Sequence, residues 1–416
     1  MSIEYKDWYP KVTSACFNLT DACNLQCRYC FVEQHPHFMT LDVAKKGVEF
    51  LINNLHWKQE HGIYKNEKVG VTFFGGEPML MYEEIIKPLV LWIEEVYPGE
   101  VTFDITTNGT LLNKERIDFF KEHNIYPLLS MDGGPDTQNF NRPCQDPNLK
   151  SFDLVVKNIP YLLEQFPGIT FRATIDSNSV DKTYENYLFA SAMGFKNIFM
   201  IPDSQHPWSV ESLESLNTEF YKIFNFIVEA FRRGVQPIWF GPINDSFTRI
   251  LDHDIMVRDG RMDEYKTHRR EVTRCGLGTM GCSIAYDGTI YGCQEQDSKD
   301  SADIFRIGDI FTGIDIEKHK RLLEAYATDN LIQCEDPTLC EKCALRSNCK
   351  TFICPSSSWS TYKNLHTNGI SYCTWLQIMF EYAIQAMKVL TEENNQLFRD
   401  YLINQCSFDR YFKEGY

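Results

Sequence analysis

Residues Cys23-Asn24-Leu25-Gln26-Cys27-Arg28-Tyr29-Cys30 place three cysteines within eight residues, spaced by three and then two, directly after the apolar run Ser14 to Leu19. Three thiolates at this spacing grip three irons of a [4Fe-4S] cube and leave the fourth without a protein ligand. An iron enclosed on every side only passes electrons, whereas an open one can chelate a small molecule, as open metal sites do generally. A zinc knot completed by His35 or His37 is the competing reading. A disulfide framework fits less well. The chain opens Met1-Ser2-Ile3-Glu4-Tyr5-Lys6-Asp7, with neither the basic start nor the apolar core of a signal peptide, which points to a reducing, cytoplasmic setting.

The rest of the chain sets bounds on that loop. At 416 residues it is long enough for two or three domains, and 43% hydrophobic with 24% charged residues is an ordinary globular balance. No apolar run reaches the roughly 18 residues that a membrane span needs, so no membrane role is expected. A formal net charge of -16 argues against nucleic-acid binding, since a phosphate backbone wants a basic surface; it suits solubility and a basic peptide partner. Fifteen cysteines without a secretory signal point to metal.

From the cysteine loop to about Pro202, short apolar runs alternate with amphipathic helical patterns, the form of parallel strands joined by helices. The strands are expected at Val12 to Leu19, Val69 to Phe74, Val101 to Thr106, Tyr126 to Met131, Thr170 to Ile175 and Asn197 to Ile201. Leu41, Ala44, Val48, Leu51, Ile52 and Leu55 share one helix face, with Thr40 as N-cap and Asp42 in the first turn. A second helix carries Phe152, Val155, Val156, Ile159, Leu162 and Leu163 behind Ser151. These elements predict an α/β fold, an incomplete (β/α)6 TIM-like barrel. In such barrels chemistry sits where strands end. There the sequence places Phe74-Gly75-Gly76-Glu77-Pro78, then Thr106-Thr107-Asn108-Gly109-Thr110, then Ser130-Met131-Asp132-Gly133. Paired glycines let backbone approach a ligand, while Asn-Gly and Asp-Gly also serve plain turns.

The cysteine spacing, with aromatic Tyr29 before the last cysteine and Gly75-Gly76-Glu77-Pro78 about 45 residues on, resembles the signature of the radical S-adenosylmethionine (SAM) enzymes. The resemblance implies the same barrel. It also implies a cube at Cys23, Cys27 and Cys30 whose free iron takes the amino and carboxylate groups of SAM. It puts the SAM contacts at Tyr29, Gly75, Gly76, Glu77 and Pro78, with Glu77 toward the ammonium. Thr107, Asn108, Ser130 and Asp132 fall near the ribose and carboxylate, and either Arg142 or Arg172 is the cation facing that carboxylate.

After Glu211 to Arg233, a long amphipathic helix, the chain changes character at Gly234, and cysteines crowd from Arg274 on. Cys275, Cys282 and Cys293, with twelve residues between Cys275 and Gly288, precede a tight run of Cys340, Cys343, Cys349 and Cys354, then Cys373. Eight cysteines suit two further clusters better than one zinc ribbon. This layout resembles the SPASM domain, the small cluster-bearing extension of radical SAM enzymes that modify peptides and proteins. It implies a first auxiliary cluster on Cys275, Cys282, Cys293 and Cys354, and a second on Cys340, Cys343, Cys349 and Cys373, so three [4Fe-4S] clusters in all. Four residues separate Cys349 from Cys354 where the family usually has three, which leaves Cys334 as a substitute for Cys354. Cys16, Cys144 and Cys406 have no motif and read as core thiols. The expected organisation is a barrel over 1–234, a bridge over 235–270, the SPASM domain over 271–374 with little regular structure, and a C-terminal helix through Leu390 with a polar, aromatic tail over 375–416.

The chemistry implied is reductive cleavage of SAM to a 5'-deoxyadenosyl radical that takes hydrogen from an unactivated carbon, the protein supplying position and exclusion of water. Auxiliary clusters then accept the electron left on the substrate, or bind a substrate group if coordinatively open. With all eight cysteines as ligands electron transfer is simpler, which implies net oxidation. In the sulfatase-maturating group an aspartate follows the cysteine matching Cys293 and acts as general base; here Gln294 cannot accept a proton at neutral pH, and strand alternation would point Glu295 the other way. The expectation is a peptide maturase installing a thioether or carbon-carbon cross-link. The alternative is an anaerobic sulfatase-maturating (formylglycine-forming) enzyme; an alternative of another class is an iron-sulfur electron carrier or scaffold, against which Glu77 argues. Expected partners are a peptide or protein substrate and a reductant such as flavodoxin or ferredoxin. Only 22 residues precede Cys23, too few for an N-terminal leader-binding module. A leader peptide would then be bound by the barrel and cluster domain themselves, for which Ile201 to Ser209 is a candidate loop, by a separate protein, or not at all.

Overall fold

The apolar run ahead of the cysteine loop forms β1 (Ser14–Asn18), and its side chains alternate. Ala15 and Phe17 are buried toward the helix Leu41–Glu60, where a side chain at Gly47 would strike the Phe17 ring, and Cys16 and Asn18 turn to the other face. The computed structural model describes residues 5–63, 67–258, 276–297, 300–326, 333–343, 345 and 354–405. Within them follow β2 (Val69–Phe74), β3 (Val101–Thr107), β4 (Ile125–Ser130), β5 (Thr170–Ile175) and β6 (Asn197–Pro202), all within two residues of the expected bounds. Each pairs in parallel with the next. A two-residue strand, β7 (Trp239–Phe240), not anticipated, pairs in parallel beside β6.

Side chains from the C-terminal ends of β2 through β6 (Phe74, Thr106, Ser130, Arg172, Thr174, Ile201) line one cavity. Strands about 4.8 Å apart meet around one cavity only if the sheet curls, which is the partial barrel expected. The far edge of β1 does not close on β6 or β7. It takes β8 (Cys282–Ile284) in parallel, with Ala15 beside Cys282 and Cys16 beside Ser283. From there β9 (Thr289–Tyr291), β10 (Arg306–Asp309) and β11 (Gly313–Ile314) add antiparallel, so the short strands of the cysteine-rich region continue the barrel sheet.

Thr40 caps its helix as expected, its hydroxyl accepting from the Val43 N–H. The helix expected across Phe152 to Leu163 is two helices, Ser151–Val156 and Ile159–Gln165. Pro160 is the reason: it lacks an N–H and its ring collides with the carbonyl of Val156 in a continuous helix. Ser151 is the first helical residue and Lys150 the cap. The helix Val210–Arg232, capped by Ser209, packs against Ile370–Glu392 through the stacked pair Phe224 and Tyr382, 5.0 Å apart, and a 2.7 Å bond from the Tyr382 hydroxyl to Asn217. Beyond it, residues expected as polar tail form the helix Gln396–Gln405, held by Phe398 edge-on to Phe231. Among the described residues no helix is long and apolar enough to cross a membrane.

Candidate active site

Glu77 is the most constrained carboxylate of the cavity. Gly75 sits at φ +134, where a side chain would lie 2.3 Å from the Thr20 carbonyl; a side chain at Gly76 would be as close to that of Ala22. Only glycine lets β2 end this near the cysteine loop, and Gly76 N–H and Glu77 N–H bond the Thr20 and Ala22 carbonyls. Pro78 opens a short 3-10 turn, leaving the Glu77 side chain to accept from Thr107 Oγ1 (2.7 Å), Asn108 N–H (2.7 Å) and Met79 N–H (3.0 Å). Burial dominates and pushes its carboxyl up to about 7 despite these donors.

The cysteine loop is tied down on its other side. Leu25 bridges to Cys144, Gln26 N–H bonds the Pro143 carbonyl and Arg28 N–H that of Asn141. Asn24 and Asn108 bond each other at 2.9 Å, and Asn108 Nδ2 approaches Cys23 Sγ at 3.8 Å. Cys23, Cys27 and Cys30 all line the cavity. Burial pushes the Cys23 thiol up to about 12 and that of Cys27 to about 11, so they ionise here only with a bound cation to favour the thiolate. Three soft sulfurs at one cavity wall, with Glu77 and Asn108 beside them, fit an iron-sulfur cube with one face toward a ligand. Of the histidines weighed as a fourth zinc ligand, His37 binds Asp21 at 3.0 Å and stacks on Tyr286, and the His35 ring lies 5.5 Å from that of His37.

Of the two arginines, Arg142 is spent inside the fold. Its Nη2 lies 3.1 Å from Asp132 Oδ1, and Asp132 also accepts from the Tyr29 hydroxyl, Asn141 Nδ2 and Thr174 N–H. Burial works against the Arg142 charge, but Asp132 and Tyr29 outweigh it. Asp132 is buried behind the cavity wall, which Tyr29, Ser130 and Arg142 help to form. Arg172, on β5, lines the cavity, bonds the Ala173 carbonyl at 2.5 Å and pairs with no carboxylate among the described residues. Burial, then the nearby Arg142, lowers its pKa against the opposing pull of Asp132 and Glu295.

The cysteine-rich region forms the opposite wall of the same cavity, a space of about 460 Å³, through Gln294, Glu295, Cys354, Ser357 and Tyr372. Here the structure corrects the sequence reading of Glu295. Gln294–Gln296 is a 3-10 turn, so strand alternation does not apply, and Glu295 faces the cavity with its Oε2 3.9 Å from Cys354 Sγ. Of the proposed first auxiliary set, Cys275 lies outside the described residues, Cys293 and Cys354 flank this wall, and Cys282 is buried in β8. Of the second, Cys349 lies outside the described residues, as does Cys406. Cys334, weighed as a substitute for Cys354, lies beside two cysteines of the second set: its N–H reaches Cys340 Sγ at 3.1 Å, and a hydrogen bond between its thiol and Cys373 lowers its pKa to about 7. Cys343 Sγ accepts from Gln377 at 3.5 Å. The Ile201 to Ser209 loop is anchored by Asp203, which holds His206 at 2.6 Å and accepts from Trp208 Nε1 through its carbonyl; its first five residues line the cavity. Thr174 was missed, though its place two residues beyond Arg172 on β5 was the available signal.

Residues 17–188 match the Radical SAM superfamily. The chain is 22% identical over 289 residues to the radical SAM cyclopropyl synthase TigE of Paramaledivibacter caminithermalis, covering 65% of this chain and 56% of TigE. It is 23% identical over 291 residues to the cysteine-type anaerobic sulfatase-maturating enzyme of Clostridium novyi, covering 65% of this chain and 70% of that enzyme. Among solved structures, anSMEcpe with bound AdoMet superposes with a TM-score of 0.66 at 20% identity, covering 91% of this chain and 99% of that one. Streptococcus suis SuiB bound to its precursor peptide SuiA superposes at 0.53 and 15% identity, covering 87% and 76%. At these identities the superpositions establish the shared fold alone.

Proposed function

We propose, from the premise that residues 17–188 are a radical SAM domain, that this enzyme is a maturase: it abstracts hydrogen from a ribosomally made peptide and installs an oxidative thioether or carbon-carbon cross-link. The observation that carries the reading is the single cavity shared by the two halves of the chain, with Cys23, Cys27, Cys30 and Glu77 on one wall and Gln294, Glu295, Cys354 and Tyr372 on the other. A substrate held there touches the SAM side and the cysteine-rich side together. The relatives support a peptide or protein substrate: the C. novyi enzyme is named for sulfatase maturation, and SuiB is seen with a precursor peptide.

Cys23, Cys27 and Cys30 would hold the first cube, and SAM bound in the cavity beside them would supply the hydrogen-abstracting radical. The chain's own residues have narrower tasks. Glu77, already fixed by Thr107 and Asn108, receives the SAM ammonium, and Arg172 receives its carboxylate because Arg142 is occupied by Asp132. Gly75 and Gly76 keep side chains out of that space. Cys293 and Cys354 would help hold one auxiliary cluster and Cys340, Cys343 and Cys373 another, groups that would accept the substrate electron, and a flavodoxin or ferredoxin would supply the electron for SAM cleavage.

A second reading, formylglycine formation, is favoured by one observation: Glu295 faces the cavity and can act as the base that Gln294 cannot. Co-expression with candidate short peptides, followed by mass spectrometry, separates the two. Loss of two hydrogens supports the cross-link, and formylglycine in a sulfatase peptide supports the second. Failure of anaerobically reconstituted protein to cleave SAM to 5'-deoxyadenosine overturns both and leaves an electron carrier.

A further inference from the structure

The loop after β6 is fixed through one residue. Asp203 N–H bonds the Ile175 carbonyl, and the Asp203 carbonyl accepts from Trp208 Nε1 at 2.8 Å and from Ser371 Oγ, on the helix Ile370–Glu392, at 3.1 Å. Its side chain, 5% exposed, accepts from the Gln205 N–H at 2.9 Å and holds His206. Between these anchors Ser204 Oγ meets Ser357 Oγ of the cysteine-rich wall at 2.7 Å. The backbone of Gln205, a residue of the cavity lining, is thereby set in advance.

Gln294, on the cysteine-rich wall, is held in a similar way. Gln296, two residues on and fully buried, donates through Nε2 to the Ser356 carbonyl (3.0 Å) and approaches Ser360 Oγ (2.7 Å). That amide pins the Gln294–Gln296 turn to the helix Pro355–Tyr362.

The two lining glutamines differ from the charged groups around them. Glu77 is engaged by Thr107 and Asn108, Arg142 by Asp132 and Asp203 by His206. Among the described residues the Gln205 side chain makes no hydrogen bond, and that of Gln294 makes only a 3.9 Å contact with Cys293 Sγ. Each is a half-buried amide whose Nε2 needs an acceptor and whose Oε1 needs a donor. An extended peptide presents that pair on one edge, the N–H and C=O of a single residue, as strands do in an antiparallel ladder.

We infer that Gln205 and Gln294 read the main chain of the peptide substrate, each bonding the N–H and C=O of one residue that flanks the site of reaction. Selection then falls on an extended backbone and not on charged side chains. Proline, which has no N–H, fails at either flanking position. Asp203 and Gln296 are positioning residues that act through the two readers. The inference rests on the reading that the cavity takes a peptide, and names the feature of that peptide it recognises.

The test uses the full chain, anaerobically reconstituted, with SAM and dithionite. The probe is the peptide found modified on co-expression, synthesised with one main-chain amide N-methylated at a time. In the parent, N-methylation at two flanking residues is expected to raise KM about tenfold with kcat changed by less than about twofold. Gln205→Ala and Gln294→Ala each raise KM by about as much, and each abolishes the penalty at one of the two positions. Asp203→Ala behaves as Gln205→Ala, whereas Asp203→Asn, which keeps an acceptor for the Gln205 N–H, retains the parental KM. An N-methyl scan that leaves KM unchanged at every flanking residue of the unaltered enzyme overturns the inference without relying on any variant. So does a penalty equal in the parent and in both glutamine variants; either result leaves the peptide reading standing. Failure of the parent to modify any peptide overturns both.

Discussion

The carboxylate of Glu77 accepts the backbone N–H of Asn108 at 2.7 Å, joining the end of β2 to the end of β3 directly beside Cys23. Burial raises its pKa from 4.5 to about 7, so the fold favours the protonated acid. A raised carboxyl pKa contributes stability that is complete below about 4.5 and lost as pH rises through about 7, a swing on the order of 3 kcal/mol. Thermal melts of SAM-free protein are therefore expected to fall across this window, and Glu77→Gln to flatten the fall. SAM, whose ammonium favours the carboxylate, should restore stability at pH 8 in the parent and not in the variant. Parallel pH profiles for parent and variant would refute this.

The arginines are expected to fail differently. Arg142→Ala strands the buried Asp132 carboxylate and costs about 3–5 kcal/mol, read in denaturant unfolding. Arg172→Ala leaves the melting temperature near the parent's and weakens SAM binding by tenfold or more in anaerobic equilibrium dialysis. Equal SAM affinity in Arg172→Ala and parent would return the carboxylate contact to Arg142.

Gly75→Ala meets the Thr20 carbonyl at 2.3 Å and Asn18 Oδ1 at 2.6 Å from a φ that alanine rarely adopts. The neighbouring backbone must move, and it carries the cysteine loop. Reduced iron loading of the first cube and a stability loss of about 2 kcal/mol or more are expected, measured by iron assay and unfolding. By contrast Gly62→Ala, with nothing within 4 Å but a φ of +69, tests backbone strain alone. It should cost only about 1 kcal/mol and no iron.

Glu295→Gln keeps the shape of the cavity wall and removes its proton acceptor. With dithionite as reductant, 5'-deoxyadenosine formation is expected to persist while substrate modification slows about 100-fold. Product formed at the parental rate would remove Glu295 from the chemistry.

The strands, the cysteine loop and the Gly-Gly-Glu-Pro turn were legible because each is a local pattern: period-two burial from Val69 to Phe74, thiol spacing from Cys23 to Cys30, and glycines where backbones nearly touch. Proline chemistry at Pro160 was equally visible and was outweighed by the apolar stripe around it. What the sequence could not specify were contacts between segments far apart along the chain. The choice of Asp132 as partner of Arg142, the turn that brings Glu295 to the cavity, and the pairing of β8 with β1 that buries Cys282 all follow from where the sheet curls. Spacing lists which side chains are available for a ligand set; the face of a strand on which each one stands is settled only when its neighbours pair.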